Sequence, residues 1–140
     1  MKFMIIVKAT PDSEAGRFPD DSEKLFEAMA DYHEQLAQAG VLLDAAGLQP
    51  SSKGWRIRYD GERRTVVDGP FIESKELIAG YTLIQVRNHD EALEWTRRFP
   101  NPVGKGKAAE IEVRQLYEAE DFEGLVKPDT ADRFKQIGME

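Results

Sequence analysis

Few side chains in this sequence could do chemistry, and the first is Asp68, which opens the segment Asp68-Gly69-Pro70-Phe71. This segment breaks a β-rich run and puts a carboxylate at the end of a predicted strand. A strand end can hold a charged group rigidly while leaving it open to a ligand, so Asp68 is a candidate for catalysis or binding. The alternative is structural, because an aspartate before Gly-Pro can cap the turn through an Asx-type hydrogen bond.

Arginines are the second set of candidates, because a guanidinium can bind a carboxylate through two parallel hydrogen bonds. Arg58 is the candidate substrate contact among them. Alternating arginines on an exposed hairpin are more often a solvated face, which is the alternative for this group. The cluster consists of Arg56, Arg58, Arg63 and Arg64.

Aromatic side chains could line a pocket for a flat ligand. Tyr81 follows Gly80 in an apolar run and is the candidate substrate contact of this kind. Tyr32 and Trp55 belong to other predicted elements and are its candidate neighbours. Aromatic residues in strands and helices are core by default, so core packing is the alternative for all three rings.

The composition excludes several classes of site and partner. The 140 residues include no cysteine and two histidines, so thiolate nucleophiles, iron–sulfur clusters and cysteine-type zinc sites are ruled out, and we predict no metal and no cofactor. The 26 acidic and 19 basic side chains give a net charge of -7, which repels phosphate backbones and anionic membranes. We therefore expect neither nucleic acid nor a membrane as a partner, and the cytoplasm is the predicted compartment.

The first helix is predicted to carry one histidine on its buried face. A strand over residues 3–7 is apolar at every position, which predicts that neither of its faces meets water. After a loop over residues 10–19, a helix begins near Asp21, where Asp20 and Glu23 resemble a capping box. Its apolar stripe ends before a glycine and consists of Leu25, Phe26, Met29, His33, Leu36 and Ala37.

A β-hairpin is predicted around the two-residue turn Asp60-Gly61. With a two-residue or four-residue loop, Asp68 lies on the same face as Trp55 and Ile57, and we expect this face to be the core side. A three-residue loop with a bulge would reverse the face of Asp68. The opposite face would then carry Arg56, Arg58 and Arg63.

The remaining elements complete an α+β pattern. Strands are predicted over residues 41–48, 78–86 and 109–114, and a helix capped by Asn88 over residues 90–99. The order β-α-β, hairpin, β-α-β is typical of a ferredoxin-like (split βαβ) fold with an inserted hairpin and two helices on one face of an antiparallel sheet. Strands that are apolar on both sides leave the other face of that sheet apolar. We therefore predict a homodimer joined through the open sheet face.

Seven segments carry a resemblance to a known family: Met1 to Val7, Ala39-Gly40-Val41-Leu42-Leu43, Gly47-Leu48-Gln49-Pro50, Asp68-Gly69-Pro70-Phe71, Glu73-Ser74-Lys75-Glu76, Gly80-Tyr81 and Glu91-Ala92-Leu93-Glu94-Trp95. They resemble the YCII-related family in its DGPF branch, over roughly residues 1–117. The segment over residues 11–20 and the tail depart from the family pattern. The resemblance implies a dimeric α+β barrel with a pocket between sheet and helices.

The resemblance also implies a pair of catalytic residues. In the YCII branch proper, a histidine on the first helix and an aspartate after the hairpin are the proposed acid–base pair, and one member is implicated in dehydrochlorination of an aromatic substrate. This chain has His33 and Asp68 at comparable places, so the resemblance implies His33 as general base and Asp68 as the carboxylate that orients it. The alternative is a core-edge His33 hydrogen-bonded to the backbone.

Three functions are compatible with these residues. The first is a cofactor-independent lyase or isomerase acting on a small carboxylated or aromatic compound. The second is a non-catalytic ligand-binding or regulatory dimer, for which the resemblance suggests a link to alternative sigma factors. The third is a structural dimerisation domain. A pocket with convergent polar groups beside His33 favours the first function, a pocket without them the second, and the absence of a pocket the third.

The tail differs in composition from the rest of the chain. We predict one domain over residues 1–117 and an acidic C-terminal tail over residues 118–140, with a short helix over residues 132–137. The tail is expected to dock in part through Phe122 and Phe134, with a flexible remainder.

Overall fold

The computed structural model describes residues 1–139, which form six strands and four helices. None of these helices has the length and apolar character of a membrane span. Short 3-10 turns lie over Ser51–Lys53, Ser74–Glu76 and Ala119–Phe122. The strands are β1 (Lys2–Lys8), β2 (Leu42–Gly47), β3 (Trp55–Asp60), β4 (Arg63–Asp68), β5 (Ile78–Gln85) and β6 (Ile111–Gln115). The helices are α1 (Pro11–Glu14), α2 (Ser22–Gln38), α3 (His89–Arg97) and α4 (Pro128–Gln136).

Four strands form one antiparallel sheet in the order β2-β5-β1-β6. Two split units, β1-α2-β2 and β5-α3-β6, build this sheet, which confirms the predicted α+β, ferredoxin-like fold. Strands β3 and β4 pair only with each other and form the predicted hairpin, inserted between the two units. The hairpin is thus an appendage to the main sheet.

The core lies between the main sheet and helices α2 and α3. In β1, Phe3 and Ile5 are buried on the helix face, whereas Met4 and Ile6 are half-buried on the other face. This alternation follows from the two-residue period of a strand. The core cluster consists of Phe3, Ile5, Tyr32, Leu36, Val41, Ile84, Val86 and Ala92.

Helix α2 differs from its prediction in two details. It begins at Ser22, and the side chain of the N-cap residue Asp21 makes no capping hydrogen bond, so the expected capping box is absent. Phe26 is 52% exposed, although it belongs to the predicted apolar stripe. Tyr32, which the predicted stripe did not include, is buried. Tyr32 and Leu36 lie four residues apart, which puts them on one helix face.

The hairpin turn also differs from its prediction. Asp60 pairs with Arg63, so the turn residues are Gly61 and Glu62, one residue later than predicted. Gly61 has a φ of +61°, a conformation that glycine adopts without strain. The pairing shifts by two residues, which preserves the predicted faces. The arginines that share one face are therefore Arg56, Arg58 and Arg63, as predicted.

The tail contains more helix than the sequence predicted. Helix α4 begins at Pro128, because proline suits the first turn of a helix, where its missing N–H has no partner to lose. Phe122 packs against Tyr117 with ring centroids 5.0 Å apart, whereas Phe134 is 46% exposed. The division between a domain over residues 1–117 and a tail stays a prediction.

Tyr32 provides a pH-dependent test of the core. Its hydroxyl donates to the Trp95 carbonyl at 2.8 Å, and burial raises the pKa of the phenol to about 12, offset in part by Arg98. The unfolded state therefore ionises first, and the free energy of unfolding falls as pH rises from about 10 towards 12. We expect Tyr32→Phe to remove part of this fall and to cost about 1 kcal/mol at pH 7. Urea denaturation at pH 7 and between pH about 10 and 12 measures both effects. If the free energy of unfolding of the variant fell with pH as steeply as that of the wild type, this expectation would be wrong.

Candidate functional site

His33 lies on the buried side of α2 and faces the main sheet. Its Nδ1 lies 2.7 Å from the Met29 carbonyl oxygen, and its Nε2 lies 2.8 Å from Thr82 Oγ1. A carbonyl can only accept, so in the neutral ring the proton is assigned to Nδ1, and the Thr82 hydroxyl donates to Nε2. The backbone of α2 thereby orients the imidazole and leaves Nε2 as its basic nitrogen.

The surroundings of His33 are mostly aromatic. The rings of Tyr32 and Phe99 meet it edge-on, with centroids 5.5 Å and 6.3 Å away, and Thr82 beneath it is 2% exposed. Phe99 also lines a cavity of about 260 Å³, which His33 does not line. The other lining residues of the cavity include Thr96, Pro100, Asn101, Pro102 and Ile111.

Asp68 lies at the end of β4, opposite Trp55, and is not among the hydrogen-bond partners of His33. Both Asp68 and Trp55 are exposed, so the expectation that this hairpin face is the core side is wrong for the single chain. The reason is that Arg56, on the opposite hairpin face, lies against Phe71. Within residues 1–139 the Asp68 side chain makes no hydrogen bond, neither to His33 nor as a turn cap.

The rest of the Asp68-Gly69-Pro70-Phe71 segment anchors the hairpin to the 3-10 turn at Ser51. The Gly69 amide donates to the Gly54 carbonyl at 3.0 Å, and the Phe71 amide donates to Ser51 Oγ at 2.9 Å. A Cβ atom at Gly69 would lie 1.9 Å from the Ser51 carbonyl oxygen, so only glycine fits there. The segment therefore holds two parts of the backbone in close contact.

Glu14 completes this junction and was not identified from the sequence. Its Oε2 accepts from the Ser51 amide at 2.8 Å, and its Oε1 accepts from the Ser51 hydroxyl. Glu14 and Ser51 are 37 residues apart, and no local pattern signals such a contact. Thr82, the partner of His33, carries a weak signal, because it is a polar residue in an apolar strand.

The two predicted substrate contacts lie in different places. Arg58 is exposed on the hairpin face that it shares with Arg56. Tyr81 precedes Thr82 in β5, so its side chain is on the sheet face opposite His33, where it donates to Asp44 Oδ2 at 3.1 Å. That hydrogen bond raises the pKa of Tyr81. The structure of the single chain therefore does not bring the predicted site residues together, and their roles stay predictions.

His89, the second histidine, is exposed at the start of α3. Its ring centroid lies 6.5 Å from that of Phe3, in an edge-on contact.

In the part of the chain that the structure describes, no three His, Cys, Asp or Glu side chains lie close enough together to hold a metal ion.

Comparison with known proteins places the chain in a family. A family model described as the YCII-related domain matches residues 1–120. The chain belongs to the YCII-related family. The match contains the whole ferredoxin-like sheet, the hairpin, and both His33 and Asp68, and it confirms the resemblance noted in the sequence.

Two individual proteins illustrate the similarities of this YCII-related chain. An uncharacterized protein of Rhizobium meliloti (strain 1021) is 29% identical over 98 residues, which cover 70% of this chain and 79% of that protein. Among solved structures, a similar one is 5-chloro-2-hydroxyhydroquinone dehydrochlorinase (TftG) from Burkholderia phenoliruptrix AC1100, in complex with 2,5-dihydroxybenzoquinone. It has 16% sequence identity and a TM-score of 0.41, over 86% of this chain and 98% of that one.

Proposed function

We propose that this YCII-related protein is a homodimeric, cofactor-independent lyase or isomerase that transfers protons on a small carboxylated or aromatic compound, with His33 Nε2 as the base. The observation that carries the proposal is the hydrogen bond between His33 Nδ1 and the Met29 carbonyl. A base needs a lone pair at a fixed position, and this bond places that lone pair on Nε2, where it accepts from the Thr82 hydroxyl. No other histidine of the chain has such a partner among the described hydrogen bonds.

Access to Nε2 requires two local movements. The Thr82 hydroxyl, which donates to Nε2, can exchange this bond for one to a substrate because it rotates freely about one bond. Phe99, which contacts the His33 ring and also lines the smaller cavity, would turn aside to connect the two. A substrate would then reach the imidazole from the end of α3, in a setting where Tyr32 and Phe99 favour an aromatic ring.

Asp68 enters the proposal as a second proton-transfer group, because the orienting position at His33 Nδ1 is taken by Met29. It lies on the exposed hairpin face, beside the apolar side chains of Trp55 and Ile57. Exposed apolar residues mark surfaces that a partner covers. We infer that Asp68 acts on ligand only in the dimer, with Arg58 as a candidate carboxylate contact at the same hairpin.

The open face of the main sheet supports the homodimer. Met4 and Leu83 lie side by side at its centre, next to Ile6. A polar rim surrounds them: Glu112 pairs with Lys8 at 3.0 Å and with Arg114 at 3.2 Å. The Lys8 hydrogen bond, followed by that from Arg114, lowers the pKa of Glu112. An apolar centre with a charged rim is the usual anatomy of an interface, and a second sheet of the same kind would cover it.

A non-catalytic ligand-binding or regulatory dimer is the second candidate. It is favoured by one observation, namely that both nitrogens of His33 are hydrogen-bonded within the chain while the cavities lie elsewhere. A link to alternative sigma factors would fit this candidate. The two candidates differ in whether His33 exchanges protons with a bound compound.

Nitrogen NMR of the imidazole tests which atom is the base. We expect long-range ¹H–¹⁵N spectra to show the neutral ring of His33 protonated at Nδ1, both in the wild type and in Thr82→Val. The valine variant removes the hydroxyl, should cost about 1 kcal/mol of stability, and should leave the tautomer unchanged because Met29 fixes it. His89 serves as the exposed reference in the same spectra. A proton on Nε2 of His33 would refute the assignment.

A further inference from the structure

The larger of the two cavities described lies where the Gly69-Phe71 segment meets the 3-10 turn at Ser51. Its volume is about 370 Å³, within the range of small-molecule sites. Leu48, Leu77 and Ile78 give it an apolar floor, and it is lined by neither His33 nor Asp68. The lining also includes Glu14, Lys53 and Arg56, so three charged side chains surround an apolar space.

The charged side chains of this cavity differ in their partners, because only the Glu14 carboxylate is hydrogen-bonded within the chain. Both oxygens of Glu14 accept hydrogen bonds from Ser51, and the Ser51 hydroxyl in turn accepts from the Phe71 amide. These hydrogen bonds therefore hold Glu14 and Ser51 in the wall of the cavity. Within residues 1–139, by contrast, Arg56 and Lys53 form no ion pair and donate no side-chain hydrogen bond.

Arg56 is held in a position that suits an anion. Its guanidinium carbon lies over the Phe71 ring, 3.7 Å from the ring centroid, and within residues 1–139 its N–H groups donate no hydrogen bond. A stacked guanidinium loses little further freedom when it binds a carboxylate through two parallel hydrogen bonds. The free donors of the cavity are thus cationic, in a chain whose net charge is -7.

We propose that this cavity binds a small organic carboxylate. We call it the Arg56 cavity, and its lining includes Glu14, Leu48, Ser51, Lys53, Arg56, Phe71, Leu77 and Ile78. The carboxylate pairs with Arg56, with Lys53 adding positive charge at the exposed side. The apolar part of the ligand rests on Leu48, Leu77 and Ile78. The proposal is independent of proton transfer at His33, and it gives Phe71, the last residue of the Asp68-Gly69-Pro70-Phe71 segment, a role in the wall of a binding site.

Benzoate is the probe for this site, and benzamide is its uncharged counterpart. In ¹H–¹⁵N spectra of the full chain, we expect benzoate to produce saturable shifts at the amides of Ser51, Gly54 and Phe71. Benzamide should bind at least about tenfold more weakly, because it lacks the charge that Arg56 recognises. Arg56→Gln should weaken benzoate binding by about tenfold or more, whereas Arg63→Gln, on the same hairpin face but outside the cavity, should change it by less than about twofold.

A second variant keeps the test decisive if Arg56→Gln does not fold. Leu48→Trp fills the cavity without altering a charge, and it should also weaken benzoate binding about tenfold or more. Three results would overturn the proposal: equal binding of benzoate and benzamide, unchanged binding in Leu48→Trp, or no saturable shift up to about 20 mM benzoate. Loss of proton transfer in a His33 variant would leave all these outcomes unaffected, so the two sites can fail separately.

Discussion

Replacement of Gly69 by alanine should destabilise the protein by at least about 3 kcal/mol, a large share of the roughly 5–15 kcal/mol by which domains of this size are stable. The added Cβ atom would lie 1.9 Å from the Ser51 carbonyl oxygen and 2.7 Å from the Ser51 carbonyl carbon. Both are backbone atoms, so no side chain can turn away to make room. The hairpin would have to separate from the 3-10 turn, and the hydrogen bond from the Phe71 amide to Ser51 Oγ would break.

Urea denaturation of Gly69→Ala measures this loss, and Gly47→Ala is the matched control. A Cβ at Gly47 meets no atom within 4 Å, and alanine is compatible with its place in β2, so we expect the free energy of unfolding to change by less than about 0.5 kcal/mol. Wild-type stability in Gly69→Ala would show that the contact between this segment and Ser51 is not a feature of the folded chain.

Replacement of Leu83 by glutamate should convert the proposed homodimer into monomers. Leu83 lies at the centre of the open sheet face, where a sheet-to-sheet dimer would bury it against the partner. A carboxylate buried there without a partner costs several kcal/mol on each subunit. The dimer dissociation constant should therefore rise by a factor of about a thousand or more. Light scattering should then give the 15.9 kDa of one chain in place of twice that mass.

The control for this variant is Leu93→Glu. Leu93 is 44% exposed on α3, away from the open face, so the same change in charge should leave the mass of the dimer unaltered. A wild-type protein that is monomeric at micromolar concentration would contradict the dimer itself. A dimer that survives Leu83→Glu would place the interface on another surface, with the hairpin face at Trp55 as the next to test.

The sequence was sufficient for the architecture because its signals were local and strong. The apolar run in β1, the Asn88 cap of α3, which accepts from the Glu91 amide at 2.8 Å, and the hairpin turn all act within a few residues. The errors were of the same local kind. The turn lies one residue later than predicted. Its first loop residue has a positive φ, and Gly61 adopts that conformation without strain.

The candidate site was harder to predict because its contacts are long-range. Periodicity placed His33 on the inner face of α2, but the partner Thr82 is 49 residues away. The parity of the hairpin was predicted correctly and still gave the wrong side for Asp68. Parity says which residues share a face, whereas the contact of Arg56 with Phe71 decides which face meets the body of the protein.

Exchange of carbon-bound hydrogen in D₂O is the most direct test of His33 as a base. The protein is incubated with a panel of small carbon acids that carry a carboxylate or an aromatic ring, such as phenylpyruvate and benzoylacetate, and exchange above the protein-free background is followed by NMR. We use His33→Gln as the variant, because glutamine can still donate to Met29 and accept from Thr82 but does not titrate at neutral pH. The proposal predicts exchange in the wild type that is at least about 100-fold slower in His33→Gln at equal folded concentration. Equal rates in the two proteins, or no exchange of any compound by the wild type, would contradict it.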